Sequence, residues 1–171
     1  MAFNAPMTTG IPLYSSGHPS TGGNTGLIKS TDGGRTWELV SKVLDPAVDF
    51  HAMAISKSDP QVIIGFDSEG RGLFRTADRG KNWDKMNYPG GYVTYLAINP
   101  DNSEVVFAAT DQGIFQSTNG GASWSQLNQY SGIEVFALAF DANGNLYAST
   151  DTFGLAKIDG SWQVLGEYRP P

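Results

Sequence analysis

Cysteine is absent from all 171 residues. Neither a disulfide nor a thiolate metal site is therefore available, and the redox compartment stays open. Basic residues are few and scattered: 11 Lys and Arg against 17 Asp and Glu give a formal net charge of −6. Binding to a phosphate backbone draws on clustered Lys and Arg, so no nucleic-acid partner is expected. No run approaches the roughly 20 apolar residues of a membrane span. No basic-then-apolar N-terminal segment reads as a secretory signal. Helical periodicity is missing as well. No segment carries apolar residues at helical spacing between caps, so essentially no helix is predicted.

Glycine is abundant instead: 21 Gly and 9 Pro accompany a 40% apolar share, which suits many short strands joined by turns. The chain also repeats itself. Ser30-Thr31-Asp32-Gly33-Gly34-Arg35-Thr36-Trp37 returns as Thr76-Ala77-Asp78-Arg79-Gly80-Lys81-Asn82-Trp83 and as Ser117-Thr118-Asn119-Gly120-Gly121-Ala122-Ser123-Trp124. A shortened copy, Ile158-Asp159-Gly160-Ser161-Trp162, closes the series. Each copy lies between two short apolar stretches and so reads as a hairpin turn. Asp or Asn bonds nearby backbone N–H groups, and Gly adopts angles that a side chain resists. Ser30, Asp32, Gly34, Trp37, Thr76, Asp78, Gly80, Trp83, Ser117, Asn119, Gly121, Trp124, Asp159 and Trp162 are assigned structural roles, with the Trp rings packing between strands.

Trp37, Trp83, Trp124 and Trp162 are 46, 41 and 38 residues apart. That period holds four short strands, the content of one propeller blade. The expected architecture is an all-β arc of four antiparallel four-stranded blades, at about 1–42, 48–88, 92–129 and 134–166. Met53-Ala54-Ile55-Ser56, Leu96-Ala97-Ile98-Asn99 and Leu138-Ala139-Phe140-Asp141 align as innermost strands. Met1-Ala2-Phe3-Asn4 fits the same register and begins partway along it. The expectation is a partial ring, completed as a homodimer, because open blade faces and strand edges invite pairing.

If the first strand of each blade runs from top to bottom, the repeated turns lie on the bottom. The second-to-third connections and the links between blades then share the top. His18, Asp67, Asp111 and Asp151 end second strands; Asp49, His51, Tyr92, Tyr95 and Glu134 open first strands. These nine are the ligand-binding candidates, with Phe153 as a further aromatic. Several of them also have a plainer reading. For Asp67, Asp111 and Asp151 the alternative is turn initiation, and for His51 it is a core histidine bonded across blades. The irregular stretch from Ser15 to Thr25 is a candidate binding loop. Two imidazoles and a carboxylate from His18, His51 and Asp49 suit zinc or iron chemically. Their sequence spacing gives no support, so no metal and no cofactor are expected. Asp141-Ala142-Asn143-Gly144-Asn145 lacks the features of a calcium loop and reads as a hairpin turn.

The repeat, hydroxyl-x-Asp/Asn-x-Gly-x-x-Trp, resembles the Asp box, or BNR repeat, of a propeller superfamily. That group includes sialidases, xyloglucan-degrading enzymes, sortilin-type receptors and a photosystem II assembly factor. Ser16-Gly17-His18-Pro19, the 26–37 segment and Asp49-Phe50-His51-Ala52-Met53-Ala54 are similar to bacterial glycosyl hydrolase-like proteins of the F510_1955 type. The resemblance implies a propeller with a carbohydrate or protein ligand on its top face, and an extracellular or cell-envelope parent. Enzyme activity, if any, would be glycoside hydrolysis, with no catalytic residue assigned. Sialidase chemistry is not expected. Arg35 and Arg79 fall in box turns, leaving Arg71, Arg75 and Arg169 for the arginine cluster that sialidases use.

Overall fold

The computed structural model describes residues 12–127, 132–152, 154–158 and 162–166. Every regular element among them is a strand. The chain divides into two compact units, Met1–Phe50 and His51–Pro171.

In the first unit, β1 (Leu13–Ser15), β2 (Leu27–Ser30) and β3 (Glu38–Ser41) form an antiparallel sheet in that order. The expected innermost strand at Met1–Asn4 lies outside the described residues. Leu27, Val48 and Phe50 are buried. Val48 is stitched in by its N–H to Lys42 O at 3.1 Å and its carbonyl to Gly26 N at 3.0 Å. β4 (Phe50–Ile55) begins at the unit's last residue.

The second unit continues with β5 (Ile63–Asp67), β6 (Leu73–Thr76) and β7 (Asp84–Met86), which complete an antiparallel sheet with β4. β8 (Val93–Asn99), β9 (Asn102–Thr110), β10 (Gly113–Ser117) and β11 (Ser125–Gln126) make the next. β12 (Val135–Phe140), β13 (Leu146–Thr150), β14 (Gly154–Ile158) and β15 (Trp162–Gly166) make the last. Each is a blade in simple meander order.

Strand alternation explains how the middle blade buries both faces. On β8 and β9, Leu96, Ile98, Val106 and Ala108 pack with Ile64, Phe66 and Leu73 of the preceding blade. Their sequence neighbours Ala97, Phe107 and Ala109 turn the other way, to Leu138, Leu146 and Ala148 of the following blade. Successive side chains on a strand point to opposite faces, so apolar runs such as Val-Val-Phe-Ala-Ala are two half-cores interleaved. The aligned alanines differ in fate. Ala97 is buried between blades, whereas Ala139 on the last sheet is exposed.

The box turns form as the local chemistry dictates. Ser30 Oγ accepts from Gly34 N at 2.9 Å, while Asp32 Oδ1 accepts from Arg35 N and Thr36 N at 3.0 and 2.9 Å. Thr76 with Asp78, and Ser117 with Asn119, repeat the pattern. Indole burial is uneven. Trp124 packs against the core between two blades, but Trp37 is 42% exposed. The expectation that Trp37 packs between strands is corrected accordingly: its ring leans on its own turn, with the indole N–H on Gly34 O. Asp159 lies outside the described residues.

Candidate functional site

In each four-stranded blade the box turn and the first-to-second turn share one end, and the second-to-third connection occupies the other. At that other end of the second unit, the link from β7 to β8 carries Tyr88-Pro89-Gly90-Gly91-Tyr92. Phe66, fully buried near the end of β5, anchors it. The Tyr88 ring is tilted 41° to Phe66 and the Tyr92 ring stands edge-on at 88°, both with centroids 5.6 Å away. Their remaining surface faces outward: Tyr88 is 49% and Tyr92 45% exposed. Such aromatic geometry adds stability beyond buried area.

Asp111, just after β9, fixes the link. Its Oδ1 accepts from Tyr92 N at 2.8 Å, while its own N–H donates to Tyr92 O at 3.3 Å. Gly91 is required there. Its φ is +67°, and a Cβ would stand 2.3 Å from Asp111 Oδ1. The Tyr88 hydroxyl donates to Gly91 O. Burial and the nearby Asp111 charge raise the Tyr88 pKa, so the hydroxyl stays protonated as a donor. Tyr88 lies two residues past β7, a position that sequence reasoning passed over. Its signal was an aromatic residue directly before Pro-Gly-Gly.

The other candidates separate by environment. Asp67 is fully buried and bidentate to Arg71, at 2.8 Å to Nε and 2.9 Å to Nη2, and its carbonyl accepts from Gly70 N. Its carboxylate is thus engaged in its own turn. Arg75 meets Glu104 at 2.5 Å across neighbouring blades. Arg71 and Arg75 are therefore both held by carboxylates. Asp151 is exposed and repeats the Asp111 pattern, its N–H donating to Glu134 O at 3.2 Å; Glu134 is exposed too. Tyr95 is 43% exposed beside the bulge between Val93 and Tyr95. The same irregularity recurs at Val135/Ala137 and leaves Phe136 49% exposed. Bulges re-aim side chains in this way. Phe153 lies outside the described residues. Asp141 gathers Asn143 N, Asn145 N, the Asn145 amide and the Tyr147 hydroxyl, which makes it the corner of a hairpin turn.

In the first unit, His18 Nδ1 lies 2.7 Å from Asp49 Oδ2. The Asp49 side chain is 4% exposed and that of His18 60%. The seam between the units is the Phe50–His51 peptide bond, inside β4. His51, the first residue of the second unit, is exposed, which corrects the expectation of a core histidine.

A family profile described as Sortilin-Vps10, with sortilin and neurotensin receptor 3, matches residues 25–153. A probable oligoxyloglucan-reducing end-specific xyloglucanase of Neosartorya fischeri is 31% identical over 86 residues, 47% of this chain and 10% of the relative. The GH74 xyloglucanase of Xanthomonas campestris superposes with a TM-score of 0.65 at 20% identity, over 94% of this chain and 29% of its own. YCF48 bound to D1 peptide gives 0.59 at 18% identity, over 82% and 49%. The chain thus spans a tenth of the curated relative and less than half of either solved structure.

Proposed function

Because the chain belongs to the Sortilin-Vps10 family, whose profile covers most of it, we propose that it is a glycosyl hydrolase-like Asp-box propeller module that binds carbohydrate at the blade ends carrying Tyr88 and Tyr92. The observation behind this reading is that pair of half-exposed rings, set on buried Phe66 and braced by Asp111. A tyrosine ring offers an apolar face to the C–H side of a sugar and a polar tip to its hydroxyls. The xyloglucan-active relatives favour a β-glucan chain as the ligand. Hydrolysis is not part of the reading. It takes two carboxyl groups at a defined separation, and the Asp67 carboxylate is already paired with Arg71.

The test is a glycan array followed by calorimetry with xyloglucan oligosaccharides. Binding that Tyr92→Ala abolishes, with the fold retained, supports the proposal; no binding at millimolar sugar sinks it. That second outcome favours a protein-binding scaffold, for which the likeness to YCF48 with its bound peptide and the exposed Tyr95 and Phe136 speak. Leu155, Val164 and Leu165 are exposed on the last sheet. Exposed apolar side chains on an end blade suit docking of a second copy, and light scattering at twice the chain mass is the expected sign.

A further inference from the structure

We propose that Asn143 is a self-modification site, at which the Gly144 main-chain nitrogen attacks the Asn143 side chain and converts it to aspartate and isoaspartate. The sequence holds two Asn-Gly pairs, Asn119-Gly120 and Asn143-Gly144. Both sit in hairpin turns of the second unit, the first between β10 and β11, the second between β12 and β13. Asparagine is the thermally labile partner in such pairs. Glycine after it favours the reaction, because no Cβ shields the nitrogen and the backbone turns freely. By sequence the two pairs are equivalent, and both Asn side chains are exposed. Their surroundings separate them.

Asn119 is held against attack. Its Oδ1 accepts from Ser117 Oγ at 3.0 Å and from Ser123 N at 2.8 Å, and its Nδ2 donates to Ser123 Oγ at 2.9 Å. Gly120 is buried, and its N–H donates to Glu104 O at 2.8 Å. Room to turn is missing as well: a Cβ on Gly120 would stand 2.8 Å from Glu104 Oε2 and 3.0 Å from Arg75 Nε. The ion pair between Arg75 and Glu104 thus closes over this glycine. Asn143 meets none of these restraints. Its side-chain amide makes no hydrogen bond with any described residue, and only its main-chain N–H is tied, to Asp141 Oδ1 at 2.9 Å. Around Gly144, a Cβ would find Asp101 Oδ2 at 3.8 Å, an ordinary contact. The Gly144 N–H donates to Asp141 O at 3.1 Å, the bond that must open before attack. Exposed turns open locally at low cost.

The step is an acyl transfer that needs only water and base. The Gly144 nitrogen gives up its proton to hydroxide and bonds to Asn143 Cγ. The side-chain nitrogen takes a proton from water and leaves as ammonia, which closes a five-membered succinimide ring. Water then adds to one of the two ring carbonyls. Cleavage of the new bond to Cγ gives aspartate, and cleavage of the original peptide bond gives isoaspartate, with the main chain rerouted through Cγ. Because the nucleophile forms by loss of a proton, the rate rises with pH. Either product places a second carboxylate two residues from Asp141, and isoaspartate lengthens the turn by one carbon.

The native chain and the chain in concentrated urea are kept side by side in mildly alkaline buffer until both Asn-Gly pairs have converted in urea. Peptide mapping by mass spectrometry reads each site from the mass gained when an amide becomes an acid, and fragmentation separates isoaspartate from aspartate. In the native chain Asn143 converts roughly tenfold or more faster than Asn119, whose amide must first shed its hydrogen bonds. In urea the two rates come together. Asn143→Gln, which would need a six-membered ring, loses the acidic species seen on isoelectric focusing, and its melting curve overlays the parent. Equal rates at the two pairs in the native chain overturn the proposal. So do an Asn143 that stays intact there and an acidic species that persists in Asn143→Gln. Sugar binding at the opposite blade ends is a separate readout, and neither result bears on the other.

Discussion

The indole nitrogen of Trp124 donates to the main-chain carbonyl of Asn87 at 3.1 Å, and the Asn87 side-chain amide donates in return to Ala122 O. A box turn of one blade and the residue that follows the outermost strand of the preceding blade thus hold each other through two hydrogen bonds. In the Trp37 and Trp83 turns, the same indole nitrogen bonds the Gly34 or Gly80 carbonyl of its own turn. Trp124 is a fastener between blades, whereas Trp37 is a local brace. Trp124→Ala is expected to cost about 3–5 kcal/mol through cavity formation. Trp124→Phe, which mainly removes the hydrogen bond, costs about 1 kcal/mol. Trp37→Ala, with the ring 42% exposed, costs clearly less than Trp124→Ala. Urea midpoints for the three variants check the order, and equal losses for Trp37 and Trp124 contradict it.

Acid should unfasten the turns. Asn82 and Thr76 hydrogen bonds lower the Asp78 pKa from 3.8 to about 2, and Asn145 is the largest cause of the same depression at Asp141. Thr36 pushes Asp32 lower still. On acidification the unfolded carboxyls take protons first, so their stabilisation is complete above pH 4 and drains away as pH falls toward 2. Melting temperatures recorded between pH 6 and 2 should drop through that window. The double variant Asp78→Asn with Asp141→Asn should drop less. Asn119 already performs the turn function without charge, through Ser123 N and Ser123 Oγ.

Removing Arg71 should be far worse than removing most surface cations. Asp67 is fully buried, and Arg71 grips both of its oxygens. Arg71→Ala leaves a buried carboxylate without that partner, at a cost of about 3–5 kcal/mol. Arg71→Met with Asp67→Leu should recover much of it, since a packed apolar pair replaces a buried ionic one. Chemical denaturation of the two variants gives the comparison, and a small effect of Arg71→Ala on its own refutes the assignment.

Gly26 and Gly33 make a matched pair. Both have positive φ, +68° and +75°, but a Cβ on Gly26 would lie 2.4 Å from Ser41 O, whereas Gly33 faces open space. Gly33→Ala should cost about 1–2 kcal/mol from backbone conformation alone. Gly26→Ala adds a main-chain clash worth about 1–3 kcal/mol more, and thermal melts of the two should separate clearly.

The box turns were legible because every bond in them closes within four residues: Ser30 to Gly34, Asp32 to Thr36 and their counterparts. The blade strands were legible from turn spacing: four per repeat are expected, and each of the three sheets completed in the second unit has four. The candidate site was half legible. Tyr92 and Asp111 could be named from their places in the repeat, but Tyr88 depended on the position of Phe66, 22 residues earlier. Asp67 looked like an open ligand until Arg71, four residues on, was seen to hold it.

By itself the sequence determined the repeated hairpin, its strand content and hence an all-β blade fold, because those follow from hydrogen bonds and alternation within a few residues. Only the tertiary structure decided which Trp ties two blades together, which carboxylate is neutralised by an arginine, and that His18 lies against Asp49. Those outcomes depend on side chains that become neighbours only after separate strands pack, and no local spacing records the distances between them.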